Sequence, residues 1–383
     1  MRILHVVPTY WPAVRYGGPI VSVHGLAKAQ ASLGHYVEVF TTNVDGKGVS
    51  DVPVEQPVDM DGVVITYFPT GLGRRLYRSP RMKAALQART REFDVVHVHA
   101  VFLWPTVAAC TEADRASRPF VLSPRGMLVP ELIRKKSTIV KLAWLALYGR
   151  KTVGKACSIH ATSEREAECI RRMRLGHQRL DVVPNGLNTD EVIALHHVRG
   201  ATEPVLVALG RINWEKGLER LIEAMRLLPQ ARLVIAGNDE EGYRAKLEEN
   251  CNSAGVADRV TFCGPVYGEA KWQLLAQADL FVAPSLSENF GIAILEAMAC
   301  GTPVVVTPEV GLAETVRQAS AGIVVEGKPQ RLADEILTLL DDRSRRQAMS
   351  QAALRLVRED FSWTSVAARM DRVYNDAAPS PIA

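Results

Sequence analysis

The residues best suited to chemistry lie in segment 284–303, where Glu288 and Glu296 stand either side of Gly291. The pattern reads as a strand entering a loop that bears Glu288, then a glycine that lets backbone approach a ligand, then an apolar helix. Unpaired N–H groups at such a helix start can receive a diphosphate. Glu296, in the second or third turn, aims a carboxylate at whatever those phosphates carry, and the two hydroxyls of a ribose suit it. Segment 208–217 supplies the other half of a clamp: Arg211 and Lys216 sit at the carboxyl end of a strand, where cations neutralise a leaving diphosphate. The competing readings are two acids on an exposed helix face, and helix-start cations paired with Glu215 or Glu219.

Positioning these groups requires a particular scaffold. Short runs rich in Val and Ile alternate with longer amphipathic segments, the pattern of repeated βα units whose parallel sheets are buried on both faces. Strands are expected near 2–7, 36–41, 63–68, 94–99, 119–123, 157–161 and 180–183, with a helix from Ile20 to Leu33 closed by Gly34. After the polar segment 187–204 a second series follows near 205–209, 232–236, 259–263, 279–283, 303–306 and 322–325. Residues 329–359 read as mostly helical, and Phe361-Ser362-Trp363 opens a last helix to about Asn375. The expected fold class is α/β, with two doubly wound domains binding ligand at the carboxyl ends of strands, in a cleft where they face each other.

Composition narrows the function classes. A chain of 383 residues, 47% hydrophobic and 23% charged, excludes disorder and fibrous structure and predicts two to three domains. No run approaches the roughly 18 apolar residues of a membrane span; the nearest, 139–148, is interrupted by Lys141. Met1-Arg2 leads straight into an Ile3-Leu4-His5-Val6-Val7 core strand rather than a signal peptide, which predicts a cytoplasmic protein. The scattered cysteines (Cys110, Cys157, Cys169, Cys251, Cys263, Cys300) are expected to be buried thiols, outside any zinc or disulfide framework.

Charge is uneven. Residues 1–190 hold 26 Lys and Arg against 16 Asp and Glu, so the first half is the basic one. One basic segment carries Arg74, Arg75, Arg78, Arg81 and Lys83; the other, Arg134, Lys135, Lys136, Lys141, Arg150, Lys151 and Lys155, runs along a helix with Trp144, Leu145, Leu147 and Tyr148. The mixture suits an anionic lipid surface or a phosphate-bearing acceptor, against the alternative of a solvated basic face. Asp59-Met60-Asp61 resembles a metal-nucleotide Asp-x-Asp but reads as an acidic turn before Gly62. No Gly-x-Gly-x-x-Gly follows the first strand, which disfavours a dinucleotide oxidoreductase, and no nucleic-acid-binding motif is present.

Gly-Arg…Glu-Lys-Gly followed some 70 residues later by Glu-x7-Glu resembles the retaining GT-B glycosyltransferases of family 4, of bacterial polysaccharide-assembly type. The likeness extends over essentially the whole chain: Gly17-Gly18 after the first strand, Asp94 to His99, His160 to Glu164, and Val183-Pro184-Asn185-Gly186-Leu187 also match. It implies an acceptor-side domain over 1–190, a nucleotide-sugar domain over 191–360 and a C-terminal helix and tail, 361–383, crossing back to the first domain. Arg211 and Lys216 would hold the donor diphosphate and Glu296 the ribose. Glu288 would contact sugar hydroxyls, and backbone at Asn289, Phe290, Gly291 and Ile292 the sugar and distal phosphate. The Gly17-Gly18 loop would close on that phosphate. His99 would sit beside the transferred sugar, against the alternative of a hydrogen-bonded histidine at a strand end, and Arg125, within Ser123-Pro124-Arg125-Gly126, would lie near the acceptor. The implied reaction moves a hexose-type sugar from a nucleotide-diphosphate donor to a hydroxyl of a glycan, polyprenyl-diphosphate-linked, at the inner membrane face. It needs no metal and no cofactor beyond the nucleotide sugar as co-substrate. An epimerase of the same fold and a non-catalytic nucleotide-sugar-binding subunit are the alternatives.

Overall fold

A computed structural model describes residues 1–13, 18–135, 137–176, 178–188, 192, 203–239 and 242–377. Gly17 and Lys136 lie outside these residues, as does the expected domain boundary at 190/191. The chain forms two compact units, Met1–Gly186 together with Trp363–Ala383, and Leu187–Ser362. The second crossing thus comes two residues after the expected 360/361, because Phe361 is buried in the second unit's core beside Phe290.

The first unit holds β1 (Arg2–Val6), β2 (Tyr36–Thr42), a two-stranded ribbon of β3 (Val44–Asp45) and β4 (Gly48–Val49), β5 (Pro57–Met60), β6 (Val63–Phe68), β7 (Val95–His99), β8 (Phe120–Ser123), β9 (Ser158–Ala161) and β10 (Leu180–Val182). Its main sheet runs β10-β9-β8-β7-β1-β2-β6-β5, parallel except for the edge pair β5·β6. Alternate residues of these strands feed cores on opposite faces, Leu4, Val6, Val96 and Val98 on one, Ile3, Val37, Val95 and Val121 on the other. Strands buried on both faces read as unbroken apolar runs, and so they stand out in the sequence. The sequence expectation misses β5: Asp59 and Met60 are in that edge strand, and only Asp61 (φ 58°) and Gly62 (φ 79°) make the turn.

The second unit holds β11 (Val205–Leu209), β12 (Arg232–Ala236), β13 (Val260–Gly264), β14 (Leu280–Ala283), β15 (Val304–Val306) and β16 (Gly322–Val324). They form a wholly parallel sheet in the order β13-β12-β11-β14-β15-β16. Strand order reverses between β11 and β14 here, and between β1 and β7 in the first unit. Such switch points leave a crevice at the strands' carboxyl ends because the following connections depart to opposite sides.

The final helix, Trp363–Ala377, packs on the helix Gly18–Ser32 of the first unit, burying Val366, Met370, Val373 and Tyr374. Gly25 and Gly186 make room for the Trp363 indole, since a Cβ at either would overlap that ring. Among the cysteines, Cys110 and Cys251 are buried as expected. Cys263 is exposed, because it lies where β13 borders the sheet and its side chain alternates outward.

Candidate active site

In the second unit, the loops leaving β11 and β14 bring the sequence-singled residues together. Gly210 and Gly237 cross so closely that a Cβ at Gly237 would overlap the Gly210 carbonyl, which lets the β11 loop turn sharply beside β12. Asn213 then caps a short 3-10 turn, Trp214–Lys216, by accepting from the Glu215 N–H at 3.1 Å. Gly217, at φ 58°, starts the helix Leu218–Ala224. The β14 loop is pinned to this turn: Leu286 and Ser287 N–H groups both donate to the Glu215 carbonyl, at 2.8 and 3.2 Å. On its other side Glu288 bridges Val310, donating to the Glu309 carbonyl at 3.1 Å and accepting from Gly311 N–H at 2.9 Å.

These backbone bonds set the charges. Lys216 Nζ forms an ion pair with Glu288 across the two loops, both side chains about one-fifth exposed. Arg211, half exposed, lies 3.8 Å from Glu215, so Arg211 and Lys216, expected to converge, each face a separate acidic partner. Glu219 pairs instead with Lys246 at 3.1 Å. An exposed pair such as Arg211–Glu215 is worth at most about 1 kcal/mol and exchanges readily for a stronger anion.

Gly291 takes φ 101° and begins the helix Ile292–Ala299 with no side-chain cap. A Cβ there would strike Ile294, and the left-handed backbone favours glycine in any case. Phe290 is buried beneath the loop, whereas Ile292, Ala293 and Glu296 are half-buried on one helix face. Glu296, one turn along, accepts from Lys271 Nζ at 2.6 Å. Lys271 is a residue sequence reasoning missed: it comes from the helix Gly268–Gln277, 25 positions away, and only strand order brings the two helices together.

In the first unit, His99 ends β7 and Arg125 follows β8. Three non-glycine residues there adopt left-handed backbone, Ala100 (φ 73°), Phe102 (φ 63°) and Arg125 (φ 54°), a costly conformation that concentrates at functional sites. Arg125 is not a free surface cation. Its Nη1 donates to Asn185 Oδ1 at 2.6 Å and its Nη2 to His99 Nδ1 at 3.3 Å, while burial lowers its pKa to about 10, countered by Glu166. Glu166 is held by the Gly126 and Thr162 N–H groups. The Arg125 Nε and the Ser123 hydroxyl are buried and make no hydrogen bond among the described residues. His99 is buried and its pKa lies well below the usual imidazole value, through desolvation first and then the Arg125 charge. Gly18 opens the helix Gly18–Ser32 rather than lying in a loop, and Gly17 is outside the described residues. The ring nitrogens of His5, His97 and His99 gather within 4.8 Å, but they are engaged in hydrogen bonds with one another and their neighbours.

Residues 16–191 match the family described as Glycosyltransferase Family 4, and residues 195–355 the family described as Glycosyl transferases group 1. The chain is a family 4 type glycosyltransferase of the GT-B fold. An uncharacterized glycosyltransferase of Methanocaldococcus jannaschii is 29% identical, with 98% of each chain covered. The D-inositol 3-phosphate glycosyltransferase of Xylanimonas cellulosilytica is 28% identical, over 98% of this chain and 96% of its own. In fold, this glycosyltransferase is similar to Anabaena HepE, solved with UDP and glucose, at TM-score 0.73 and 20% identity, covering 98% and 99% of the two chains.

Proposed function

We propose that this glycosyltransferase moves a hexose-type sugar, with retention of anomeric configuration, from a nucleotide-diphosphate donor to a hydroxyl of a lipid-linked glycan in bacterial surface polysaccharide synthesis. The observation that carries the donor half is the meeting of Arg211, Lys216, Glu288 and the uncapped helix after Gly291 at the β11/β14 switch point. HepE, of like fold, was solved with UDP and glucose, which supports a nucleotide-sugar donor here.

The ion pair suggests how the residues act. With Lys216 neutralised by Glu288, the loops are held in place before donor arrives. An incoming diphosphate competes for the lysine and releases the Glu288 carboxylate to sugar hydroxyls. Arg211 and the N–H groups around Asn289, Phe290, Gly291 and Ile292 then stabilise the charge that builds on the diphosphate as the anomeric C–O bond breaks. The electron pair leaves with the phosphate oxygen. The acceptor oxygen bonds to the anomeric carbon on the same face, and its proton passes to the diphosphate. These fixed cations do the neutralising that a metal would otherwise supply, so the reaction is proposed as metal-independent. Glu296 is assigned to the nucleotide ribose; in the first unit, His99 is assigned to the transferred sugar and Arg125 to the acceptor.

The helix Thr138–Thr152 supports the lipid half. Its outward face is apolar, with Ile139 82%, Val140 67% and Leu147 68% exposed, and Arg150 and Lys151 close its last turn. Lys155, by contrast, is spent on Asp114 at 2.5 Å. Among the described residues no helix is long and apolar enough to cross a membrane. An apolar face flanked by cations is suited to lying in an anionic lipid surface.

The test is a screen of UDP-, GDP- and ADP-sugars for slow donor hydrolysis, followed by NMR assignment of the released anomer. Hydrolysis of one donor class with retained configuration supports the proposal. Inverted product, or binding without turnover across donors and acceptors, overturns it.

A further inference from the structure

A continuous hydrogen-bond chain runs through the interior of the first unit, from Arg125 to the carbonyl of Val183. Arg125 Nη2 meets His99 Nδ1 at 3.3 Å, and His99 Nε2 meets His5 Nδ1 at 2.9 Å. His5 Nε2 meets Gln30 Oε1 at 2.8 Å, and Gln30 Nε2 meets the Tyr374 hydroxyl at 3.2 Å. Tyr374 meets His97 Nδ1 at 2.7 Å, His97 Nε2 meets His160 Nδ1 at 3.3 Å, and His160 Nε2 meets the Val183 carbonyl at 2.8 Å. Every side chain between the two ends is buried.

The two ends dictate the proton positions. A guanidinium only donates, so His99 Nδ1 accepts and its Nε2 carries the proton. The same step repeated makes His5 an Nε2–H imidazole donating to the Gln30 carbonyl oxygen. A backbone carbonyl only accepts, so His160 Nε2 carries a proton, and by the same logic His97 Nε2 does too, leaving its Nδ1 to accept from Tyr374. The amide of Gln30 then donates to the Tyr374 oxygen. Both derivations, begun from opposite ends, arrive at one polarity and meet without conflict. An imidazolium at His99 or His5 would set donor against donor.

We propose that this chain locks His99 as a neutral Nε2–H imidazole whose Nδ1 holds the Arg125 guanidinium, and that Tyr374 and Gln30 are positioning residues for the His99–Arg125 pair. Tyr374 lies on the C-terminal helix, so that helix contributes to the chemistry of the first unit as well as to its packing. Arg125 also donates to Asn185, two residues along the sequence from Val183 at the other end of the chain. The consequence for turnover rests on the proposed reaction; the proton assignment does not.

The experiment is 15N NMR of the histidine side chains in the full-length protein at neutral pH, with Tyr374→Phe and Gln30→Glu as probes. The expected spectrum shows His5, His97, His99 and His160 as neutral Nε2–H rings with hydrogen-bonded Nδ1. Tyr374→Phe should perturb His99, which it does not touch, as well as His97. An Nδ1–H or charged ring among the four, stoichiometric metal at the His5, His97 and His99 trio, or perturbation confined to His97 overturns the proposal. With the donor found by the screen, each variant should lower kcat roughly tenfold, the scale of one lost buried hydrogen bond. Donor KM should stay unchanged, and the double variant should be no worse than the singles. Additive losses, or a rise in donor KM with kcat intact, contradict a positioning role. Because the NMR readout needs no donor, its failure is distinct from a failure of the proposed reaction.

Discussion

The polar groups at the two switch points are satisfied in opposite ways. In the second unit, Lys216, Glu288, Arg211 and Glu215 neutralise one another in partly exposed pairs on loops, contacts a phosphate can replace. In the first, His5, Gln30, His97, His99, His160 and Tyr374 are buried and satisfy one another in a chain that offers little to exchange. A site that must take up and release a charged group every turnover is built from exchangeable pairs. One that must keep a fixed orientation is built from buried, fully bonded neutral groups.

Breaking the exchangeable side should have the largest effect. Lys216→Ala and Arg211→Ala each remove a cation proposed to face the departing diphosphate and should lower turnover by roughly 10²–10³ while leaving thermal unfolding little changed. Steady-state kinetics on purified variants, with melting curves as control, decides this. Near-normal rates in both would remove these residues from the reaction.

Next in size is a packing test of the first unit. Gly25→Ala forces a Cβ into the Trp363 indole and should destabilise by about 1–3 kcal/mol, whereas Gly255→Ala, at a helix end with no atom near the added Cβ, should suffer only from its left-handed backbone. Urea denaturation of the two variants ranks them, and equal stability would mean that the C-terminal helix is not seated as described.

A pH-dependent effect of comparable size follows from burial. Desolvation holds His5 near pKa 4 and His160 near 3, with His97 and His99 lowered in the same direction. An unfolded histidine titrates near 6.5. Between pH 6.5 and about 4 the unfolded chain therefore binds more protons than the folded one, and stability falls as pH falls. His5 and His160 should each contribute about 1.4 kcal/mol per pH unit in that window. Urea midpoints at pH 7, 6 and 5 measure the slope; a flat profile would mean that these rings are already charged or solvated.

The smallest effect on the folded protein should come from the outward helix face. Ile139→Asp with Leu147→Asp should leave stability and donor hydrolysis intact yet abolish flotation with anionic vesicles. Flotation indifferent to lipid charge or to these substitutions would argue against a membrane role for this helix.

Legibility in the sequence divides along the same line. Apart from β5, the strands of both main sheets were readable because strands buried in a parallel sheet are continuous apolar runs, and the second unit's candidate site was readable because its charges sit on loops directly after β11 and β14. Gly291, read as a point of close backbone approach, and Gly217, the last residue of the Glu-Lys-Gly motif, both have positive φ. What escaped was whatever depends on strand order and register. His5 and His97 are direct partners across β1 and β7, and His99 follows two positions on along the same face, so scattered histidines become a cluster only when those strands pair. Lys271 reaches Glu296 for the same reason. The edge strand β5 was missed because a half-exposed antiparallel edge lacks the apolar run that marks the others.

The central claim is that Arg211, Lys216 and the helix start at Gly291 hold a diphosphate. Calorimetric titration of UDP, GDP and ADP, each beside its monophosphate, into the wild-type protein and Lys216→Ala tests it most directly. The account predicts that one diphosphate binds much more tightly than its monophosphate, and that Lys216→Ala erases at least tenfold of that difference while monophosphate binding is unchanged. Equal binding of mono- and diphosphates, or a diphosphate preference that survives loss of Lys216, would contradict it.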